Sequence, residues 1–276
     1  MNKKSYYYIL TVPGLMLIIF FLITPLISTV IPTFLGKKGI DFSQYIAFFN
    51  DEYFMQIFSR TLRISLITSF ACMVFGVPVA YFISRSPKKL RGLLIACSVF
   101  PLLTNSVVRA FAWMNILGKN GIINKILLGL NIINQPYKLL YTELAVIIGT
   151  VYLFLPLMIV SLVGVMENIE MDLLEAAESL GASKITAFFK VVFPLSIPGL
   201  IVGTVLVFTG ALTAYTTPQL LGGNSNMVLS TLIYQRTMSL SDWNGAAVVA
   251  TVMIVTTLLV ISLINKLAAK LNERGV

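Results

Sequence analysis

The chain contains no histidine, which removes the commonest side chain for general acid–base catalysis, metal binding and proton relay. Zinc-dependent hydrolases and hydrolases of the Ser-His type are therefore disfavoured. The two cysteines, Cys72 and Cys97, both lie inside apolar runs and lack metal-ligand spacing to each other, so we expect them to pack as small apolar residues. We predict no catalytic residue and no metal site in this chain.

Charged residues are also scarce: they make up 11% of the 276 residues, against roughly 25% in a typical soluble domain. Hydrophobic residues make up 57% and fall in long continuous runs. Such runs are typical of membrane-spanning helices, which need about 20 apolar residues each, and not of the alternating strands of a barrel. We therefore expect an all-α integral membrane protein that forms a single transmembrane domain over residues 1–276.

A phosphate-binding loop of the form Gly-x-x-x-x-Gly-Lys-Ser/Thr is absent as well, and no soluble domain of useful size remains between the apolar runs. If ATP drives this protein, another chain must bind the nucleotide. The net charge of +9 could indicate a nucleic-acid partner, but basic residues retained beside the cytoplasmic ends of membrane spans account for it better. We therefore expect no nucleic-acid partner.

Six apolar runs have the length of membrane spans, at about 9–31, 62–84, 92–117, 142–165, 195–217 and 245–265. The first run is too long for the core of a signal peptide and no Ala-x-Ala-like site follows it, so we expect an uncleaved first helix. Residues 1–60 then contain this span and, at 32–60, a polar and aromatic segment on the outer side that is compatible with an amphipathic surface helix. Residues 61–265 hold the core, with loops at 118–141, 166–194 and 218–226.

Lysine and arginine favour the cytoplasmic side of short loops, and their distribution gives the orientation. With the N-terminus inside, the inner segments hold eleven of them: Lys3, Lys4, Arg85, Lys88, Lys89, Arg91, Lys184, Lys190, Lys266, Lys270 and Arg274. The outer segments hold eight over a greater length: Lys37, Lys38, Arg60, Arg63, Lys119, Lys125, Lys138 and Arg236. We expect both termini and the loop at 166–194 to be cytoplasmic.

That loop contains the longest charge-bearing segment of the chain, with five of its eleven acidic residues. Asp172 followed three residues later by Glu175 has the spacing of a capping box, which predicts that a helix begins there. Small and apolar residues then recur at helical spacing and lead to a glycine that can end the helix: Leu173, Ala176, Ala177, Leu180 and Gly181. A second helical run follows Ser183 and should end at Pro194.

Arg109 lies well inside the third predicted span, where burial of an arginine costs roughly 2.5–3.5 kcal/mol. Either it faces a cavity in the bundle, which Asn105 four residues earlier favours, or it snorkels to the outer interface or meets a structural partner. Glu143, at the start of the fourth span, is expected to be interfacial. Further polar, aromatic or helix-breaking candidates for a solute path are Trp113, Tyr152, Pro156, Thr213, Tyr215 and Pro218.

One pattern resembles a known family. Glu175-Ala176-Ala177, then Gly181 after three residues and Val191-Val192-Phe193-Pro194 after nine more, resemble the EAA loop of the membrane subunits of bacterial ATP-binding-cassette (ABC) importers. Val191 and Phe193 replace the Ile and Leu of the family pattern. The resemblance implies a MetI-like transmembrane domain of six helices, placed multi-pass in the bacterial cell membrane, with 166–194 as the cytoplasmic loop that couples it to an ATPase.

Within that family, the chain is similar to the spermidine/putrescine permeases of the first-subunit type. The resemblance rests on Thr104-Asn105-Ser106 with Arg109, on residues 173–177 and 181–184, on Leu221-Gly222-Gly223 and on Asp242-Trp243. It implies a second homologous permease subunit, two ATPase subunits and an extracytoplasmic solute-binding protein, with ATP and Mg²⁺ held by the ATPase and no cofactor held by this chain. The implied coupling residues are Asp172, Leu173, Glu175, Ala176, Ala177, Gly181, Ala182 and Pro194.

The charge of the spans bears on which solute is carried. A polyamine is cationic, yet the spans offer Arg109 and almost no carboxylate, so either the binding protein supplies the acidic groups or the solute is another one, such as a phosphonate. A stand-alone secondary transporter is a further alternative, although ion coupling usually needs carboxylates at mid-membrane. An intramembrane enzyme is disfavoured by the absent histidine and the lack of paired acids.

Overall fold

The computed structural model describes residues 3–36 and 39–272. Lys37, Lys38 and Arg274, which count in the orientation argument, lie outside these ranges. The α-helices in chain order are α1 (Lys3–Val30), α2 (Ser43–Asn50), α3 (Glu52–Ser84), α4 (Lys88–Leu103), α5 (Ser106–Leu117), α6 (Ile122–Gly129), α7 (Glu143–Met166), α8 (Met171–Ser179), α9 (Lys184–Ala187), α10 (Phe193–Leu195), α11 (Ile197–Thr213), α12 (Thr216–Gly222), α13 (Leu229–Tyr234) and α14 (Trp243–Asn272).

The remaining regular structure is short. Two 3₁₀ helices cover Ile31–Phe34 and Asn224–Asn226, and π-helical turns cover Phe188–Val192 and Gln235–Ser239. Two strands of two residues each, β1 (Leu35–Gly36) and β2 (Gly39–Ile40), pair antiparallel with Leu35 opposite Ile40.

Within residues 3–36 and 39–272, four helical stretches are long and apolar enough to cross a membrane: Thr11–Phe34, Glu52–Ser84, Glu143–Met166 and Trp243–Ala268. Two bent pairs raise the number to six if each pair is one span. The first joins α4 to Ser106–Gly129 with a bend of 93°, and the second joins Lys184–Leu195 to α11 with a bend of 66°. The all-α membrane fold predicted from composition is confirmed.

Two predicted loops contain helices instead. Residues 218–222 of the expected loop at 218–226 belong to α12. Pro218 is tolerated there because it stands in the first turn, where a helix needs no N–H donor. Gly223 then takes φ +60°, which ends the helix. In the expected loop at 118–141, residues 122–129 form α6, which is fixed by the buried Asn124 through hydrogen bonds to Gly118 O and Tyr137 O.

Two predicted boundaries are also wrong. α3 begins at Glu52, ten residues before the second apolar run, because helix continues through the polar, aromatic stretch that precedes it. Pro194 does not end the second run of the loop: helix continues to Leu195. The π-helical turn at Phe188–Val192 directly precedes Pro194 and alters the local hydrogen-bond spacing, so the ring does not meet a regular preceding turn.

The chain divides into two compact units, Met1–Met55 with Leu232–Met253, and Gln56–Thr231 with Ile254–Val276. In the first, Phe48 is buried and stacks on Phe54 with ring centroids 5.4 Å apart. In the second, α7 packs against α4, α11 and α12. Gly203 lets α11 approach α7 closely, since a Cβ there would lie 2.6 Å from Met158 Sδ.

Candidate functional site

The polar loop between α7 and α11 is built around α8. Its N-cap is Glu170, in an extended conformation and without a side-chain capping bond. The predicted capping box is therefore wrong: Met171 is already helical, which places Asp172 inside the first turn instead of before it. There its negative charge still interacts favourably with the positive end of the helix dipole.

α8 ends in a Schellman motif centred on Gly181. The N–H of Gly181 donates to Glu178 O at 2.9 Å, and the N–H of Ala182 donates to Ala177 O at 3.0 Å. Gly181 has φ +89°, a conformation that side chains with a Cβ rarely adopt. The prediction that this glycine ends the first helix of the loop is confirmed.

α8 has one buried and one open face. Leu174 is buried in the core of its unit, and Ala177 and Ala182 pack against that core. The paired alanines therefore differ in environment, since Ala176 is exposed. The other exposed residues predicted to couple are Asp172, Leu173, Glu175, Gly181 and Pro194.

Apolar side chains stand out from this polar loop. Leu180 is 90% exposed, Ile185 is 72% exposed, and Leu173 is 45% exposed. We call Leu173, Ala176, Leu180 and Ile185 the α8 surface. Ile185 lies in α9, which Ser183 caps by accepting a hydrogen bond from Thr186 N at 3.2 Å. A contiguous exposed apolar patch marks a protein–protein or membrane contact, and we expect the α8 surface to be such a patch.

The predicted solute path is centred on the break between α4 and α5. Asn105 is the N-cap of α5, and its Oδ1 accepts hydrogen bonds from Val107 N at 2.9 Å and Val108 N at 3.3 Å. The side chain is thus engaged with its own backbone, and it supports the sharp bend at this point.

Arg109 forms hydrogen bonds at the same break between α4 and α5. It is buried, with 9% of its surface exposed, and its Nη1 donates to Pro101 O, to Thr104 O at 3.2 Å and to Thr104 Oγ1 at 3.1 Å. Carbonyls at a helix end lack intrahelical partners, and a guanidinium can satisfy several at once. Of the alternatives left open by the sequence, the geometry shows structural partners, and a place of Arg109 on a solute path stays a prediction.

The remaining path candidates are only partly assembled. Trp113 and Tyr152 contact edge to face with ring centroids 5.5 Å apart, which joins α5 to α7. Thr213 uses its hydroxyl to donate to Thr209 O at 2.9 Å, on its own helix. Tyr215 is half-buried at the start of α12. Their role in a solute path stays a prediction.

A three-residue ion cluster was missed by the sequence interpretation. Glu143 Oε1 accepts from Arg60 Nε at 3.0 Å and from Arg63 Nη2 at 2.6 Å, and Arg60 Nη1 also donates to Met227 O at 3.1 Å. The cluster carries a net positive charge and ties α3 to α7. The three residues lie at the same predicted outer end of the bundle, and that coincidence was the available signal.

A second polar cluster lies in the first unit. Arg236 forms an ion pair with Asp242 at 3.0 Å and lies 4.6 Å from the ring centroid of Phe54. Asp242 also accepts from Gly245 N at 2.8 Å, so the carboxylate caps α14. These residues line a cavity of about 360 Å³. Asp242 was noted in the sequence only as part of a family resemblance.

Comparison with known proteins agrees with this architecture. The family described as binding-protein-dependent transport system inner membrane component matches residues 73–274. The spermidine/putrescine transport system permease protein PotB of Escherichia coli (strain K12) is 36% identical over 212 residues, covering 76% of this chain and 77% of the relative. PotB of Haemophilus influenzae is 35% identical over 251 residues, covering 88% and 87%.

Solved structures extend the likeness to the fold. A chain from the bacterial alginate ABC transporter in complex with alginate pentasaccharide-bound periplasmic protein superimposes with a TM-score of 0.80 at 18% identity, covering 100% of this chain and 98% of that chain. A chain of the MetNI methionine ABC transporter gives a TM-score of 0.56, covering 82% and 99%. The chain therefore belongs to the family of binding-protein-dependent transport system inner membrane components, and it is a transport subunit and not an enzyme.

Proposed function

We propose that this chain is one of two homologous permease subunits of an ATP-driven importer for polyamines such as spermidine and putrescine. Two ATPase subunits and an extracytoplasmic solute-binding protein complete the complex. The substrate assignment is supported by relatives of that name at 34–36% identity over most of the chain. Both termini and α8 lie in the cytoplasm in this proposal, following the basic turn at 85–91.

The observation that carries the proposal is the α8 surface. A loop with exposed Leu180 and Ile185 needs a partner, and the chain has no phosphate-binding loop of its own. The ATPase, with its ATP and Mg²⁺, would supply both the partner surface for these residues and the nucleotide site. Exposed Ala176 permits close approach of the partner, while Glu175 offers a charge at the rim.

α8 can act as a lever because it is fixed at two points. Leu174 anchors it in the core, and the Schellman motif at Gly181 sets the direction in which the chain leaves it. Closure of the ATPase dimer would move this rigid element, and the spans attached to it would follow, so that a cavity opens alternately outward and inward. ATP shifts the two states only by binding them with different affinity.

A second candidate solute is an anion such as a phosphonate or sulfate. The net positive cluster of Glu143 with Arg60 and Arg63 favours it, and a probable sulfate transport system permease of Prototheca wickerhamii is 29% identical over 217 residues. For a polyamine, the binding protein must supply the acidic groups, because in the described spans the acids are Glu52 and Glu143, each at the first residue of its helix, and Glu143 is paired with two arginines.

Reconstitution tests both assignments. The permease pair, ATPase and binding protein in proteoliposomes should accumulate labelled spermidine only when ATP is hydrolysed. Uptake of a labelled phosphonate or sulfate but not of spermidine would transfer the assignment to an anion. Spermidine uptake by the permease pair without its ATPase would contradict the importer itself.

The α8 surface can be tested separately by substitution. Leu180→Glu should leave the permease folded, because the side chain is almost fully exposed, but it should prevent co-purification of the ATPase. Lys190→Glu is the control, since Lys190 is also exposed in the same loop but is not part of the α8 surface. Normal ATPase binding by the Leu180→Glu variant would exclude this surface as the docking site.

A further inference from the structure

The C-terminal end of α3 contacts the chain on both sides of α8. Arg85 Nη1 donates to Ile169 O at 3.0 Å, directly before α8. Four residues earlier, the Tyr81 ring packs edge to face on Phe188, which follows α9, with ring centroids 4.9 Å apart. Arg85 directly follows α3 and its N–H still donates to Tyr81 O at 3.2 Å, so the two side chains leave the same face at the C-terminal end of α3 and hold both flanks of α8.

Two further contacts strengthen this attachment. The Arg85 guanidinium carbon lies 5.6 Å from the centroid of the Tyr81 ring, so the two holding side chains also support each other. Arg91, near the start of α4, forms a 2.7 Å ion pair with Glu167 in the short connection between α7 and α8. The last turn of α3, the residue after it and the first turn of α4 are therefore each attached to the loop, through Tyr81, Arg85 and Arg91.

Two nitrogens of the Arg85 guanidinium donate no hydrogen bond among the described residues. They are Nε and Nη2, and both are buried. A buried guanidinium donor without an acceptor is unfavourable. If the α7–α8 connection moves, these donors are available to further carbonyls.

We propose that Arg85 and Tyr81 are positioning residues that transmit movement of α8 to α3. This inference rests on the proposed function in one respect: the movement is the one that the ATPase drives. When α8 moves, Ile169 and Phe188 move with the segments that flank it, and the C-terminal end of α3, with Tyr81 in its last turn and Arg85 directly after it, must move as well. Loss of either contact leaves α8 able to bind its partner but uncouples it from the spans.

The first test needs no transport. Amide hydrogen exchange of residues 167–180 is measured in the detergent-solubilised full chain, for wild type, Arg85→Gln and Arg85→Lys. Arg85→Gln should exchange about tenfold faster in this segment, because local opening becomes easier. Arg85→Lys, which retains a donor for Ile169 O, should lie between the two. Lys88→Gln also removes one positive charge, but at an exposed residue three positions further along the chain, and this variant should match wild type.

The second test uses the complete complex. Arg85→Gln and Tyr81→Leu should retain ATPase binding and ATP hydrolysis, while the amount of solute taken up per ATP falls about tenfold. A loss of ATP hydrolysis and uptake in equal proportion, or wild-type exchange in Arg85→Gln, would overturn the inference. If the wild-type complex shows no ATP-driven uptake, the proposed function fails, while the exchange measurement still decides whether Arg85 holds α8.

Discussion

Two arginines lie at helix breaks, Arg85 directly after α3 and Arg109 in the first turn of α5, and both donate hydrogen bonds to backbone carbonyls. Arg109 donates to Pro101 and Thr104, so every acceptor lies within eight residues of it in the chain. Arg85 donates to Ile169, which is 84 residues away. The first arginine stabilises a local bend, whereas the second connects two elements that can move relative to each other.

The difference predicts different losses on substitution. Removing the local guanidinium of Arg109 should lower the stability of the fold, whereas removing the long-range guanidinium of Arg85 should weaken the coupling between α8 and α3. The region around Arg109 therefore behaves as a rigid joint. The region around α8 combines a rigid helix with attachments that concentrate at its ends. Substitutions in these two kinds of region should therefore differ in their effects on stability and on uptake.

Gly181→Val should abolish uptake while membrane insertion is retained. A Cβ at Gly181 would meet nothing within 4 Å, so the change is not steric but conformational: a β-branched residue is strongly disfavoured at φ +89°. Loss of the Schellman motif then redirects the chain after α8. Uptake assays with quantified membrane insertion test this.

Gly181→Asn provides the matched control, since asparagine tolerates positive φ better than other residues with a side chain. It should keep a substantial part of the uptake. Equal loss in both variants would show that the position requires the absence of a side chain at the partner surface and not a particular backbone conformation.

Arg109→Leu should reduce stability by about 2–3 kcal/mol, because the carbonyls of Pro101 and Thr104 lose a charged donor in a buried position. The measurement is the thermal midpoint in detergent, with Lys125→Leu, an exposed site, as the control. A fold as stable as wild type that has lost uptake would instead assign Arg109 to the solute path.

The sequence predicted the helical membrane fold and the glycine turn well, because both depend on local properties: long apolar runs and a residue type suited to positive φ. It failed at α12, where Pro218 and Gly222 look like loop residues although proline is harmless in a first turn. It also could not assign Arg109, since the partner carbonyls become available only once the chain bends at Thr104. The attachment of Arg85 to Ile169 depends on tertiary packing and has no local signature.

Asn105→Ala should cost about 1 kcal/mol, the usual effect of removing an N-cap side chain. The effect should be smaller than that of Arg109→Leu, because Asn105 contributes a neutral acceptor to Val107 N and Val108 N, whereas Arg109 contributes a charged donor in a buried position. Asn105→Asp, which retains the capping oxygen, should restore the thermal midpoint. If Asn105→Ala instead lowers uptake without affecting stability, the residue belongs to the solute path, as the sequence pattern suggested.

The smallest effect is expected at the pair of Arg91 and Glu167. Its side chains are 23% and 39% exposed, and an ion pair in contact with water contributes only about 0.2–1 kcal/mol. A double-mutant cycle of Arg91→Gln and Glu167→Gln should give a coupling energy in that range, decreasing as salt is added. Uptake per ATP should change little, in contrast to Arg85→Gln, because the pair is a solvent-exposed contact while Arg85 holds a buried backbone position. A loss of coupling in Arg91→Gln as large as in Arg85→Gln would mean that the whole turn between α3 and α4, and not one face of α3, transmits the movement of α8.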